Sequence, residues 1–73
     1  MTPAELVAEL YEARIEKGLS LREVERRAEL ACPSGSVLSR WESGGSVPNV
    51  AGFVAVAEAL GLEVIVRPKG RQR

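Results

Sequence analysis

Catalysis has little to work with in these 73 residues. The chain holds no histidine and no aspartate, so every acid is a glutamate. His-centred acid–base catalysis, Ser-His-Asp triads and the usual His/Cys zinc sets are therefore excluded. The one cysteine, Cys32, has no histidine to activate it and reads as a small apolar loop residue. Gly44-Gly45-Ser46 has neither of the glycine spacings that cradle phosphates. No enzyme is expected, and no metal or cofactor. What remains is hydrogen-bonding chemistry. Ser36, Ser39, Arg40 and Ser43 recur at steps of three and four, which collects them on one side of a helix. Among them only Arg40 is long enough to grip a planar pair of acceptors with two parallel N–H groups.

A chain of this length makes one small domain, near the size at which a single core is marginal and dimerisation helps. A hydrophobic fraction of 45% is that of a globular chain. No apolar run is long enough for a membrane span, and no basic-then-apolar start marks a signal peptide. A lone cysteine fits a reducing cytoplasm. Ten basic residues cancel ten acidic ones, and the pI of about 6.3 is low for a partner of nucleic acid. The distribution is bipolar. Glu5, Glu9, Glu12 and Glu16 stack on one stripe; Arg22, Arg26 and Arg27 share a later helix; Arg67, Lys69, Arg71 and Arg73 crowd the end.

The elements that must position the serine–arginine stripe are well punctuated. Thr2-Pro3-Ala4-Glu5 is a capping box with proline in the first turn, and the helix it opens is expected to run from Pro3 to Lys17, ending at Gly18. Leu6, Val7, Leu10 and Arg14 lie opposite its glutamate stripe. An arginine on a buried stripe needs a partner, and the candidate is Glu42, next to Leu38 on the inward edge of a later helix. Ser20 with Glu23 predicts a second capping box, for a helix ending near Glu29 or Leu30 with Leu21, Val24 and Ala28 on one face. Pro33 disfavours helix at Cys32, so Ser34 is expected to cap a third helix over Gly35–Ser43, with Leu38 and Trp41 inward. Asn49 caps a fourth over Val50–Leu60, whose apolar residues cover well over half its circumference. That excess predicts a subunit interface through Phe53, Val56 and Leu60 as well as a core. Leu62 to Arg67 then alternates and is β-branched, which predicts a strand ended by Pro68. A lone strand needs a partner from a second copy, so Leu62, Val64, Ile65 and Val66 join the expected interface. The expected organisation is a helical domain over 1–61, a dimerisation strand over 62–68 and a flexible basic tail over 69–73.

The run from Leu10 to Gly44, LYEARIEKGLSLREVERRAELACPSGSVLSRWESG, resembles the Cro/cI-type helix-turn-helix family of DNA-binding regulators, over roughly residues 6 to 61. The resemblance implies an all-α, lambda-repressor-like domain of four helices. It implies that the start of the third helix, from Ser34 through Gly35, Ser36 and Val37, enters the major groove, followed by Ser39, Arg40 and Ser43. Arg22, Ser46 and Asn49 are the expected flanking contacts. It also implies that Arg14 and Glu42 form the structural pair that such proteins carry at these positions. The chain departs from the family twice. Leu21 stands where a phosphate-contacting glutamine is common, and Ala31-Cys32-Pro33-Ser34 makes the turn about three residues longer.

The function so implied is a transcriptional regulator of the repressor kind, in the cytoplasm on the nucleoid, bound as a dimer to a palindromic operator in double-stranded DNA. The alternative is an antitoxin or phage modulator acting chiefly on a partner protein such as a toxin. It draws on the neutral charge, the sparse base-reading face and the long turn.

Overall fold

A computed structural model of the chain describes residues 2–31 and 33–68. Four helices follow one another: α1 (Pro3–Lys17), α2 (Leu21–Arg27), α3 (Ser36–Ser43) and α4 (Val50–Ala59). The start of α1 is the expected capping box, with the Thr2 hydroxyl accepting from Glu5 N at 3.2 Å and Glu5 Oε1 accepting from Thr2 N at 2.7 Å. Asn49 caps α4 by accepting from Gly52 N at 2.7 Å. At α2 the box is half formed. Ser20 Oγ accepts from Glu23 N, but the Glu23 carboxylate turns to Arg26 and Arg27 instead of back to the cap.

All four helices close in the same way. The chain turns into the left-handed region, and two amides reach back to carbonyls of the last turn. Glycine makes that turn after α1, α3 and α4. After α2 it is made by Glu29, with φ 59°. This ends α2 at Arg27, two or three residues before the apolar pattern predicts.

The core is one cluster to which every helix contributes: Val7 and Leu10, Val24, Leu38 and Trp41, and Val56 with Ala57, joined by Leu60 just past α4. α2 packs on both α3 and α4, and α1 packs on α3. In so small a domain α4 is wrapped by its own chain. Val56 is 0% exposed and Leu60 1%, which corrects their expected place at a subunit interface, since neither has surface left to offer. Phe53 is half-buried against the same cluster.

The second correction is at the C-terminal end. No strand is present among the described residues, and residues 62–68 carry no regular structure. Alternation and β-branching favour an extended chain, but a strand exists only with a hydrogen-bonding neighbour, and the single chain provides none. Val64, Ile65 and Val66 are left exposed, Val66 at 93%. The basic tail expected over 69–73 and Cys32 lie outside the described residues.

Candidate nucleic-acid interface

The site begins with what holds α3 in place. Arg14 donates from Nε to Glu42 Oε2 at 2.9 Å and from Nη2 to Oε1 at 3.0 Å, while its Nη1 donates to the carbonyl of Leu19 at 2.9 Å. One guanidinium thus ties α1, the entry to α2 and α3 together. The Tyr11 ring centroid lies 5.5 Å from its Cζ. With 13% and 17% of their side chains exposed, the two groups are mostly desolvated, so they need each other.

The start of α3 is built differently from expectation. Gly35, not Ser34, is the N-cap, with φ 92° and no side-chain cap of its own. It is buried against α2, where a Cβ would lie 3.3 Å from Leu21 Cβ. Glu25 supplies the acceptors instead. Its Oε1 accepts from Gly35 N at 3.0 Å and its Oε2 from Leu38 N at 2.9 Å, and it is 0% exposed. Sequence reasoning passed over Glu25. The signal was present, because it stands four residues after Leu21 on the apolar face of α2 and so raises the same question of a partner as Arg14.

The outward side of α3 carries Ser36, Ser39, Arg40 and Ser43, all exposed. Two of the expected contacts on α3 are withdrawn from it: Gly35 is buried and Val37 packs against the core. Asn49 is exposed, with its carboxamide oxygen committed to the α4 cap. Ser34 and Ser36 share a hydrogen bond between hydroxyls at 2.9 Å, and Ser34 Oγ also accepts from Ser36 N at 3.3 Å. Ser43 Oγ donates to the Arg40 carbonyl at 3.2 Å. Ser46, in the loop after α3, is exposed.

The cations of α2 divide into two kinds. Arg27 and Arg26 both pair with Glu23, and these hydrogen bonds, that of Arg27 foremost, hold its carboxyl below the ordinary carboxylate range. One of their two positive charges is offset within α2. On α2 and α3 the arginines with no ion-pair partner among the described residues are Arg22 and Arg40, both exposed. Two short helices joined by a turn, with a buried frame behind and exposed guanidinium groups in front, have the build of a helix-turn-helix.

A sequence model of the helix-turn-helix family, Cro/cI-like in kind, matches residues 10–65. The chain belongs to that family. Its matched region takes in most of α1 and all of α2, α3 and α4, so the Arg14–Glu42 frame and the serine–arginine face both lie inside it. Membership makes this a DNA-binding transcriptional regulator of the helix-turn-helix class. No curated protein and no solved structure gives a significant match. Among the described residues no helix is long and apolar enough to cross a membrane.

Proposed function

We propose that this regulator is a repressor that binds a palindromic operator as a homodimer, with α3 lying in the major groove. The observation that carries the reading is Arg40, exposed and without an ion-pair partner among the described residues, on the outer face of α3 between Ser36, Ser39 and Ser43. A guanidinium so placed suits the O6 and N7 acceptors of a guanine edge, and the flanking hydroxyls suit bases or phosphates at shorter reach. Arg22, in the first turn of α2, is placed to meet the phosphate backbone. Repression would follow from occupying promoter DNA. The exposed apolar segment Leu62–Val66 supports pairing of two copies, which would bury it and complete a two-stranded ribbon.

A partner protein is the second reading, supported by zero net charge and by an open, largely apolar groove of about 430 Å³ between α1 and the loop after α3, with Tyr11, Trp41 and Val47 on its walls. An anisotropy titration of the full chain separates the two. The DNA upstream of its own gene and a shuffled duplex are each titrated at two salt concentrations. Tighter binding to the upstream DNA at both salts is the expected result. Equal, weak binding that vanishes at the higher salt would give the lead to the partner protein.

A further inference from the structure

We infer that Glu25 is the positioning residue of the recognition helix, setting the direction in which α3 presents Ser36, Ser39 and Arg40. The geometry stands by itself; its consequence for operator binding rests on the DNA reading above.

A helix start leaves four amides without intrahelical partners, and a local side chain normally takes one or two of them. At α3 local side chains take only one of them: Gly35, the N-cap, offers none, and Ser34 Oγ accepts from Ser36 N alone. The amides of Gly35 and Leu38 are instead held from across the motif by the two oxygens of one carboxylate, 10 and 13 residues earlier in the chain. Two bonds from one planar group fix an angle as well as a distance. Because Glu25 springs from the middle of α2, that angle is referred to α2 and not to the connection between the helices.

This matters here because the connection, residues 28–35, is long for the motif and would constrain α3 poorly by itself. A carboxylate at a helix N-terminus also gains from the helix dipole, and a buried one cannot leave its amides without stranding a charge. Gly35 is the other half of the arrangement. Its bare backbone sits where a Cβ would come within 3.3 Å of Leu21 Cβ and 3.5 Å of Arg22 N, so α2 and the start of α3 touch at the point where Glu25 clamps them. With the Gly35, Ser36 and Leu38 amides already engaged, three of the four amides at the helix start are spent, and contacts to a duplex fall mainly to side chains.

The test is Glu25→Gln, which keeps volume and shape but turns an NH₂ group toward one of the two amides. Operator and random-duplex affinities are measured well below the variant's melting temperature, alongside amide shifts and hydrogen exchange in the full chain. The expected result is displaced Gly35 and Leu38 amide resonances, faster exchange confined to α3, and a loss on the order of tenfold in operator affinity with random-duplex binding little changed. Val56→Ala, a core change in α4, serves as the control. It should lower the melting temperature and leave the operator-to-random ratio intact. Glu25→Gln with wild-type Gly35 and Leu38 resonances and an unchanged ratio would overturn the inference, as would an equal loss of ratio in both variants. Should the wild-type chain bind no duplex at all, the DNA reading fails, and the resonance and exchange data still decide whether Glu25 positions α3.

Discussion

Arg14 of α1 and Glu42 of α3 stand 28 residues apart in sequence and meet fork to fork, with both N···O distances at or below 3.0 Å. The pair spans the helix-turn-helix unit rather than lying on its exposed serine–arginine side, and a third bond to the Leu19 carbonyl closes the frame. Its work is to hold α3, so damage to it should show first as lost stability. Arg14→Ala strands the Glu42 carboxylate in a mostly dry site and should cost on the order of 3 kcal/mol. Glu42→Ala should cost about as much, and the double variant clearly less than the sum of the two. Thermal or urea unfolding of the three variants checks this. An unchanged melting temperature in Arg14→Ala would mean the pair holds nothing.

Glu29 ends α2 in the left-handed region at φ 59°, a conformation that costs a side-chain-bearing residue on the order of 1 kcal/mol and glycine very little. Glu29→Gly should therefore raise stability by roughly 0.5 kcal/mol, part of the gain being returned to the more flexible unfolded chain. The readout is a melting temperature higher by a few degrees. A lower one would show that the Glu29 side chain contributes more than its backbone costs.

Glu23 pairs with both Arg26 and Arg27 on the surface of α2 and offsets one of their two charges. Glu23→Gln should change stability little, because exposed ion pairs contribute little. It should also raise the positive charge of this surface by one and free both guanidinium groups, tightening binding to random duplex and steepening its salt dependence. The same pairing has a pH signature. Since Arg27 and then Arg26 lower the Glu23 pKa, its contribution to stability is complete above the unfolded-state value and is lost as pH falls through the lower folded one. Acid unfolding of Glu23→Gln should lack that component. Identical acid transitions in the two proteins would remove it.

These residues show how far the sequence could be read. Arg14 and Glu42 were legible because a charge on an apolar stripe demands a partner, and the caps Thr2, Ser20 and Asn49 were legible because local bonding decides them. Glu25 raised the same demand on α2, but its partners are backbone amides beyond a long turn, and no side-chain pattern marks those. Glu29 was hidden because glycine or asparagine is the usual residue in a left-handed cap. At α4 the apolar excess suggests a subunit interface as well as a core, whereas the chain's own fold covers Val56 and Leu60. The strand over 62–68 failed for a different reason: alternation records a tendency, and pairing depends on a neighbour that the sequence does not name.

If two copies pair through Leu62–Val66, a charge placed there should separate them. Val64→Glu and Ile65→Glu lie on alternate faces of an extended chain, so the one turned inward should abolish the dimer while the other is tolerated. Sedimentation of the wild-type chain should give twice the 7.9 kDa of one copy. Either a wild-type monomer at tens of micromolar or dimers in both variants would exclude the ribbon.

Arg40 decides whether α3 is a reader. Its guanidinium is exposed, lacks an ion-pair partner among the described residues, and shares its face with hydroxyls too short to grip a base edge at two points. Arg40→Ala should cost on the order of 1–3 kcal/mol of operator affinity if it reads a guanine, and the loss should be confined to sequences carrying that base. If it meets only phosphate, the loss will be similar for every duplex and the salt slope will be shallower by about one. Arg22→Ala is the comparison, since its place in the first turn of α2 predicts the second pattern. In a dimer the two α3 helices must reach successive major grooves, so protected half-sites should be centred about 34 Å apart, one turn of the duplex. Footprinting reads that spacing directly. Operator affinity unchanged in Arg40→Ala and in Ser39→Ala would show that this face of α3 does not touch the bases, and the apolar groove beside α1 would become the surface to pursue.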